Sequence, residues 1–254
     1  MIQIVDLHKS FAGVPVLKGA SLEVPDGKIA VIIGGSGAGK SVLLKHIIGL
    51  IRPDSGQIYV DGKDICRLSG WELRETRKKF GMLFQASALF DSMSCGENVA
   101  FPLREHTRLR EKEIRARVRD MLAKVGLHGI EEKYPAELSG GMRKRVGLAR
   151  ALILEPEIVL FDEPTTGLDP ITSSVINRLI LSTQKRLGLT FILISHDVGG
   201  AFELADRIAF LYKGRIVVEG TPQEVRGNPD PAVQQFISGS AEGPITSGQP
   251  EEGL

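Results

Sequence analysis

The sequence predicts an α/β fold, and three observations carry that expectation. First, Gly34-Gly35-Ser36-Gly37-Ala38-Gly39-Lys40-Ser41 fits the spacing G-x-x-x-x-G-K-[ST], between the apolar run Ile29–Ile33 and a helical pattern over Val42–Leu50. Second, the runs Glu157–Phe161 and Phe191–Ile194 read as strands buried in a core. Third, the stretch from Ala86 to about Glu137 has a helical pattern and lies between strand patterns, as an all-helical insertion would. Strand, glycine loop and helix in that order make a P-loop. Its glycines let backbone N–H groups crowd around phosphate oxygens, and the helix N-terminus adds partial positive charge. Lys40 is then placed to reach the β- and γ-phosphates, and the Ser41 hydroxyl to ligate Mg²⁺. A plain glycine-rich βα turn is the competing reading; all four fixed positions in a strand–helix context weigh against it.

A length of 254 residues suits one large α/β domain, or a core with one inserted subdomain, and allows a substantial core. A hydrophobic content of 42% with 25% charged residues is that of a soluble globular protein. The net charge of +1 argues against a dedicated nucleic-acid binder, so no nucleic-acid partner is expected. The two cysteines, Cys66 and Cys95, fit no metal spacing and read as reduced cytosolic thiols. Met1–Leu7 lacks the form of a signal peptide, and no apolar run approaches the roughly 20 residues needed to span a bilayer. Any membrane role is therefore expected to be borrowed from a partner.

In chain order, residues 2–7 and 21–24 read as short strands joined by turn formers that include Gly13 and Pro15. Phe11 has two readings, a platform on which adenine stacks or a core residue of a small sheet. Gln57–Gly62 is a strand ending in an Asp-Gly turn, and Ser69 is a candidate cap for a helix to about Lys79. Phe80–Gln85 reads as a strand whose last residue, Gln85, is either a polar terminus or an amide beside Mg²⁺ and the attacking water. Within the helical insertion, Ile114, Val118, Met121, Leu122 and Val125 form one apolar stripe. Arg108, Arg110, Arg115, Arg117 and Arg119 lie among Glu111 and Glu113 and read as a solvated face.

Leu138-Ser-Gly-Gly-Met142 opens the next helix, which runs through Leu154. Ser139, Gly140 and Gly141 there are either a capped, flexible helix start or a second anion site. The strand Glu157–Phe161 ends in Asp162, a candidate Mg²⁺ carboxylate, and Glu163, a candidate to polarise the attacking water. Gly167–Pro170 is a turn before a helix over Ile171–Leu187. His196 follows the strand Phe191–Ile194 and reads either as a cap for the next helix or as a contact to the γ-phosphate. Arg207–Tyr212 and Arg215–Glu219 form a hairpin across Lys213-Gly214. Asn228–Pro231 is a turn, Ala232–Ile237 a short helix, and Ser238–Leu254 a Gly-, Ser-, Pro- and Glu-rich tail expected to be largely disordered or docked on a partner.

Taken together, the P-loop, Gln85, Leu138–Met142, Phe161–Glu163, Gly167–Asp169 and His196, in that order, resemble the nucleotide-binding subunit of ABC transporters over residues 1 to about 237. The resemblance implies a P-loop NTPase with a RecA-like core, an N-terminal antiparallel β subdomain and a helical subdomain inserted at about 86–140. It implies ATP and Mg²⁺, with Phe11 at the adenine-stacking position. Met142 stands where the usual signature has Gln. A narrower likeness, to Mla/Mce-type phospholipid transporters, is carried by Leu83–Met93, Phe101–Thr107, Met142 and Asn228–Phe236, and makes Met142 typical.

By resemblance, two copies pair head to tail and sandwich ATP between Gly34–Ser41 of one and Ser139–Gly141 of the other. Ser41, Gln85 and Asp162 hold Mg²⁺, Glu163 activates water, His196 contacts the γ-phosphate, and Asp169 links the two sites. The implied partners are an integral membrane permease (MlaE-like), an Mce-domain lipid-binding protein and a STAS-domain protein. The implied place is the cytoplasmic face of the inner membrane, as a peripheral subunit. Rival readings are an ABC subunit for an amino acid or lipoprotein, and a soluble ABC ATPase acting on DNA or ribosomes. The latter families usually carry coiled-coil insertions or tandem ATPase domains, and neither is read here.

Overall fold

The computed structural model describes residues 1–246. The chain begins with β1 (Ile2–Phe11), β2 (Val14–Val24), β3 (Ile29–Ile33), α1 (Lys40–Ile47), β4 (Ser55–Val60), β5 (Lys63–Asp64), α2 (Gly70–Arg77) and β6 (Phe80–Leu83). Then follow α3 (Cys95–His106), α4 (Glu111–Lys124), a 3-10 turn (Pro135–Glu137), α5 (Gly140–Leu152), β7 (Ile158–Asp162) and α6 (Pro170–Leu187). The last elements are β8 (Thr190–Ser195), α7 (Val198–Leu204), β9 (Arg207–Tyr212), β10 (Arg215–Gly220), α8 (Pro222–Arg226) and α9 (Pro231–Ser238). The chain divides into two compact units, one of Met1–Val24, Ile29–Cys66 and the chain from Ile194 on, the other of Pro25–Lys28 and Arg67–Leu193.

In the first unit an antiparallel sheet has the order β2-β1-β4-β5. Ile2 pairs with Val24 and Val60, and Ile4 with Leu22 and Ile58; all six are buried, so one apolar face is shared by three strands. Both first strands outrun the short segments expected, because only Ala12 and Gly13, at φ 47° and 81°, turn the chain, while Pro15 sits inside β2. The apolar strand β3 runs parallel to β9, which forms a hairpin with β10. All five residues of β3 are buried, which is why it reads as an unbroken apolar run. Leu43, Leu44 and Ile47 of α1 are buried as well, anchoring the helix that follows the glycine loop.

The C-terminal end of this unit differs from a free tail. The ring of Phe236 in α9 lies 5.0 Å from that of Phe210 in β9, and Ala232 and Val233 are buried. The side chain of Gln235 accepts from Ile245 N–H (2.7 Å) and donates to Ser240 O (3.2 Å), and Tyr212 donates to Pro244 O (3.2 Å). Residues 239–246 therefore fold back on the unit, and residues 247–254 of the expected tail lie outside the described residues.

In the second unit β6 and β7 are parallel, with Phe80 opposite Ile158 and Leu83 opposite Phe161. The buried rings of Phe161 and Phe191 meet at 5.0 Å. The helical stretch begins later than its pattern suggests. Residues 86–94 form turns, because Ser87 and Ala88 adopt φ of 62° and 45°, which no α-helix admits. The true start is the capping box of Ser94 and Glu97 at α3, a signal the sequence does contain. Fully buried Asn98 then fastens the lead-in, accepting from Phe90 N–H and donating to the carbonyls of Phe90, Met93 and Ser94.

Candidate active site

In the first unit the glycine loop connects β3 to α1. Lys40 is buried, and its ammonium donates to the carbonyls of Gly34 (2.8 Å) and Gly35 (2.9 Å), so the cation lies along the loop. Two glycines are sterically required. A Cβ at Gly34 would meet Leu211 O at 2.4 Å, and Gly39 stands at φ 103° with Leu17 Cδ2 3.0 Å from where a Cβ would be. At Gly35 and Gly37 an added Cβ meets nothing within 4 Å, so that side of the loop is open. No side chain caps α1 and its first turn holds no acid, which leaves its N-terminal amides suited to phosphate.

Ser41, in the first turn of that helix, is exposed. Phe11 ends β1 with a ring 45% exposed, and Lys9 Nζ sits 5.5 Å from its centroid. The ring is thus available for stacking rather than committed to a core. His196 follows β8 and is exposed; the cap of α7 is Asp197, which accepts from Gly200 N–H at 3.1 Å.

In the second unit Asp162 ends β7 and Glu163 follows it in a left-handed backbone, φ 47°. For a residue with a Cβ this conformation costs on the order of 1–3 kcal/mol. The surrounding bonds hold it there. Thr166 Oγ1 donates to Glu163 Oε2 (2.8 Å), and the Glu163 carbonyl accepts from Thr166 N–H (3.3 Å) and Lys144 Nζ (3.3 Å).

Gln85 lies two residues beyond the end of β6 rather than in it, exposed on a turn closed by Ser87 N–H to Phe84 O at 2.8 Å. The same Lys144 ammonium donates to the Gln85 carbonyl, so one buried side chain ties the turn of Gln85 to the backbone of Glu163. Burial pushes the Lys144 ammonium below the ordinary lysine range, and the carboxylates of Asp162 and Glu163 oppose that shift.

Ser139 is the N-cap of α5, exposed, with Oγ accepting from Met142 N–H at 3.3 Å. Gly140 and Gly141 are explained by packing as well as by anion chemistry. Added Cβ atoms would stand 3.0 Å from Leu168 Cδ2 and 2.7 Å from Thr172 Cγ2, so α5 begins hard against the start of α6. Asp169 caps α6, accepting from Thr172 N–H (2.9 Å) and Thr172 Oγ1 (2.5 Å); these bonds hold its carboxyl below the usual range.

The second unit therefore brings Gln85 and Glu163 together through Lys144, and Ser139–Gly141 beside the turn of Asp169. Lys144, Arg150 and Thr166 were not picked out by sequence. One signal was present: Lys144 shares the buried stripe of α5 with Gly141, Gly147, Leu148 and Ala151, a cation where the pattern is otherwise small or apolar.

A family profile described as ABC transporter matches residues 17–166. The intermembrane phospholipid transport system ATP-binding protein MlaF of Haemophilus influenzae is 48% identical over 225 residues, 89% of this chain and 85% of that protein. The probable ribonucleotide transport ATP-binding protein mkl of Mycobacterium tuberculosis is 45% identical over 244 residues, 96% of this chain and 68% of that protein. Among solved structures, the ATP-binding cassette MJ0796, in a dimeric post-hydrolysis state bound to ADP and Pi, superposes with a TM-score of 0.81. It is 31% identical and the match covers 87% of this chain and 99% of that one. The fold is that of an ATP-binding cassette, an α/β P-loop NTPase. The chain belongs to the ABC transporter family.

Proposed function

We propose that this chain is the ATP-binding and hydrolysing subunit of an ABC transporter that moves phospholipid between inner and outer membranes. The observation that carries the reading is the 48% identity to MlaF over 89% of the chain, joined to an intact set of phosphate-loop, acidic and signature residues. Adenine stacks on Phe11. The amides of Gly34–Gly39 and the Lys40 ammonium take the phosphates, with Lys40 exchanging loop carbonyls for phosphate oxygens. Glu163 orients the attacking water and takes its proton, and His196 contacts the γ-phosphate, so the chain works by positioning and electrostatic stabilisation.

Ser41, Gln85 and Asp162 offer an all-oxygen donor set suited to Mg²⁺, which when bound neutralises phosphate charge. Because each chain carries both a P-loop and a signature serine, two copies pair about a two-fold axis, Ser139–Gly141 of one completing the site of the other and Asp169 linking the sites. Among the described residues no helix is long and apolar enough to cross a membrane. A permease, an Mce-domain protein and a STAS-domain protein are the proposed partners, holding the ATPase at the cytoplasmic face of the inner membrane.

Affinity purification from native membranes tests the substrate. A permease, an Mce-domain protein and co-purifying phospholipid are expected. The likeness to mkl, which spans more of the chain, supports a second reading, a nucleotide transporter; recovery of a nucleotide permease without lipid would favour it. Glu163→Gln tests the chemistry: ATP affinity is kept while turnover falls by about 10²–10⁴. Wild-type turnover in that variant would remove Glu163 from its role.

A further inference from the structure

The helix α5 lies unusually close to β6 and the turn beyond it. A Cβ at Gly81 would stand 2.2 Å from Ala151 O, and one at Gly147 would stand 2.7 Å from Leu83 Cδ1 and 3.2 Å from Ser87 Cβ. That approach puts two cations of α5 onto main-chain oxygens of one turn. Lys144 donates to Gln85 O, while Arg150 donates to Ser87 O (2.6 Å) and Ala88 O (2.7 Å) and stands 5.9 Å from the Phe90 ring centroid. Only Lys144 also reaches the other side, at Glu163 O.

A lysine only 5% exposed is costly to keep, and an apolar side chain of the same length would avoid desolvating an ammonium. What the ammonium provides, and a methionine would not, is a fixed link between two strained or irregular backbones: Glu163 at φ 47° and the turn running into Ser87 and Ala88 at φ 62° and 45°.

We propose that Lys144 is a positioning residue for ATP hydrolysis, locking the turn that carries Gln85 to the strand end that carries Glu163 so that amide and carboxylate enter the reaction as one preset pair. The inference rests on the assignment of Glu163 given above. It touches neither nucleotide nor water; its effect passes through the two backbones. Loss of the clamp should therefore act on the rate and not on nucleotide affinity, which resides in the glycine loop.

The test uses the full chain with Lys144→Met, Lys144→Arg, Glu163→Gln and the double variant Lys144→Met/Glu163→Gln. Expected for Lys144→Met is a kcat lower by about tenfold or more with ATP affinity within about threefold of wild type, as for loss of an interaction that matters only in the transition state. Lys144→Arg, which keeps the charge and the donors, should recover most of the rate. The double variant should turn over no more slowly than Glu163→Gln alone, because both changes act through one carboxylate.

A folded Lys144→Met with wild-type kcat overturns the proposal, as does a further tenfold loss in the double variant. Should Lys144→Met fail to fold, Lys144→Leu, which likewise carries no donor, is read the same way. Wild-type turnover in Glu163→Gln would sink the underlying assignment. Wild-type turnover in Lys144→Met beside an inactive Glu163→Gln sinks the clamp alone.

Discussion

Gly81→Ala measures how tightly α5 is seated. The new Cβ would lie 2.2 Å from the carbonyl oxygen of Ala151, 3.0 Å from its carbon and 3.2 Å from Pro156 Cγ. Backbone and a proline ring cannot swing aside as a flexible side chain would, so β6 and α5 must separate by about 1 Å to restore ordinary contact. Overpacking of this kind costs about 1–3 kcal/mol, and the absence of any yielding atom places it at the upper end. The glycine's greater unfolded-state entropy returns about 0.4–1 kcal/mol. A net loss of about 2 kcal/mol lowers the melting temperature by about 4–8 °C in a chain of this size. Calorimetry of Gly81→Ala beside Gly35→Ala is the assay, since a Cβ at Gly35 meets nothing within 4 Å. Gly35→Ala, with no steric cost to set against the same entropy gain, should melt at or slightly above wild type yet bind ATP less well. A Gly81→Ala protein melting within about 1 °C of wild type would refute the close-packing argument.

Lys40→Ala should lose ATP affinity and turnover together, because the ammonium meets phosphate in ground and transition states alike; nucleotide titration reads it. Met142→Gln should hydrolyse ATP normally while Ser139→Arg does not, since the exposed cap of α5 and not the half-buried side chain of Met142 is the proposed phosphate contact; steady-state rates in the opposite order would contradict this. Phe236→Ala should cost about 2 kcal/mol of stability, removing a half-buried ring from Phe210, and leave assembly with membrane partners intact. Denaturant titration and co-purification separate those outcomes. Weakened assembly in a fully stable protein would make Phe236 a partner anchor.

The strands β3, β7 and β8 were legible because strands buried on both faces leave unbroken apolar runs, and the glycine loop because its spacing is dictated by phosphate geometry. The role of Phe236 was not legible. An aromatic in a polar tail looks the same in sequence whether its partner is another protein or Phe210, some 26 residues earlier, and only the fold of α9 onto β9 decides. The start of α3 was misplaced because helical composition runs through residues 86–94, where positive φ at Ser87 and Ala88 overrides it. Gly140 and Gly141 were read as a flexible helix start or as an anion site; their contacts with Leu168 and Thr172 depend on two helices whose approach no local pattern encodes. Lys144 was missed for the same reason, since its acceptors are main-chain oxygens about 59 and 19 residues away.

The left-handed backbone of Glu163 bears on how such an ATPase fails. At φ 47° glycine and asparagine are more comfortable than glutamate, so exchanging the acid for either would relieve local tension even as, on the role proposed for Glu163, it ends hydrolysis. Damage at this position should therefore not be cleared as misfolded chain. In the proposed dimer the altered subunit would persist, bind nucleotide and take its place opposite an intact copy, leaving one of the two sites inert. In a mixed population the defect would behave as a dominant poison, silencing more complexes than the fraction of altered chains alone would suggest.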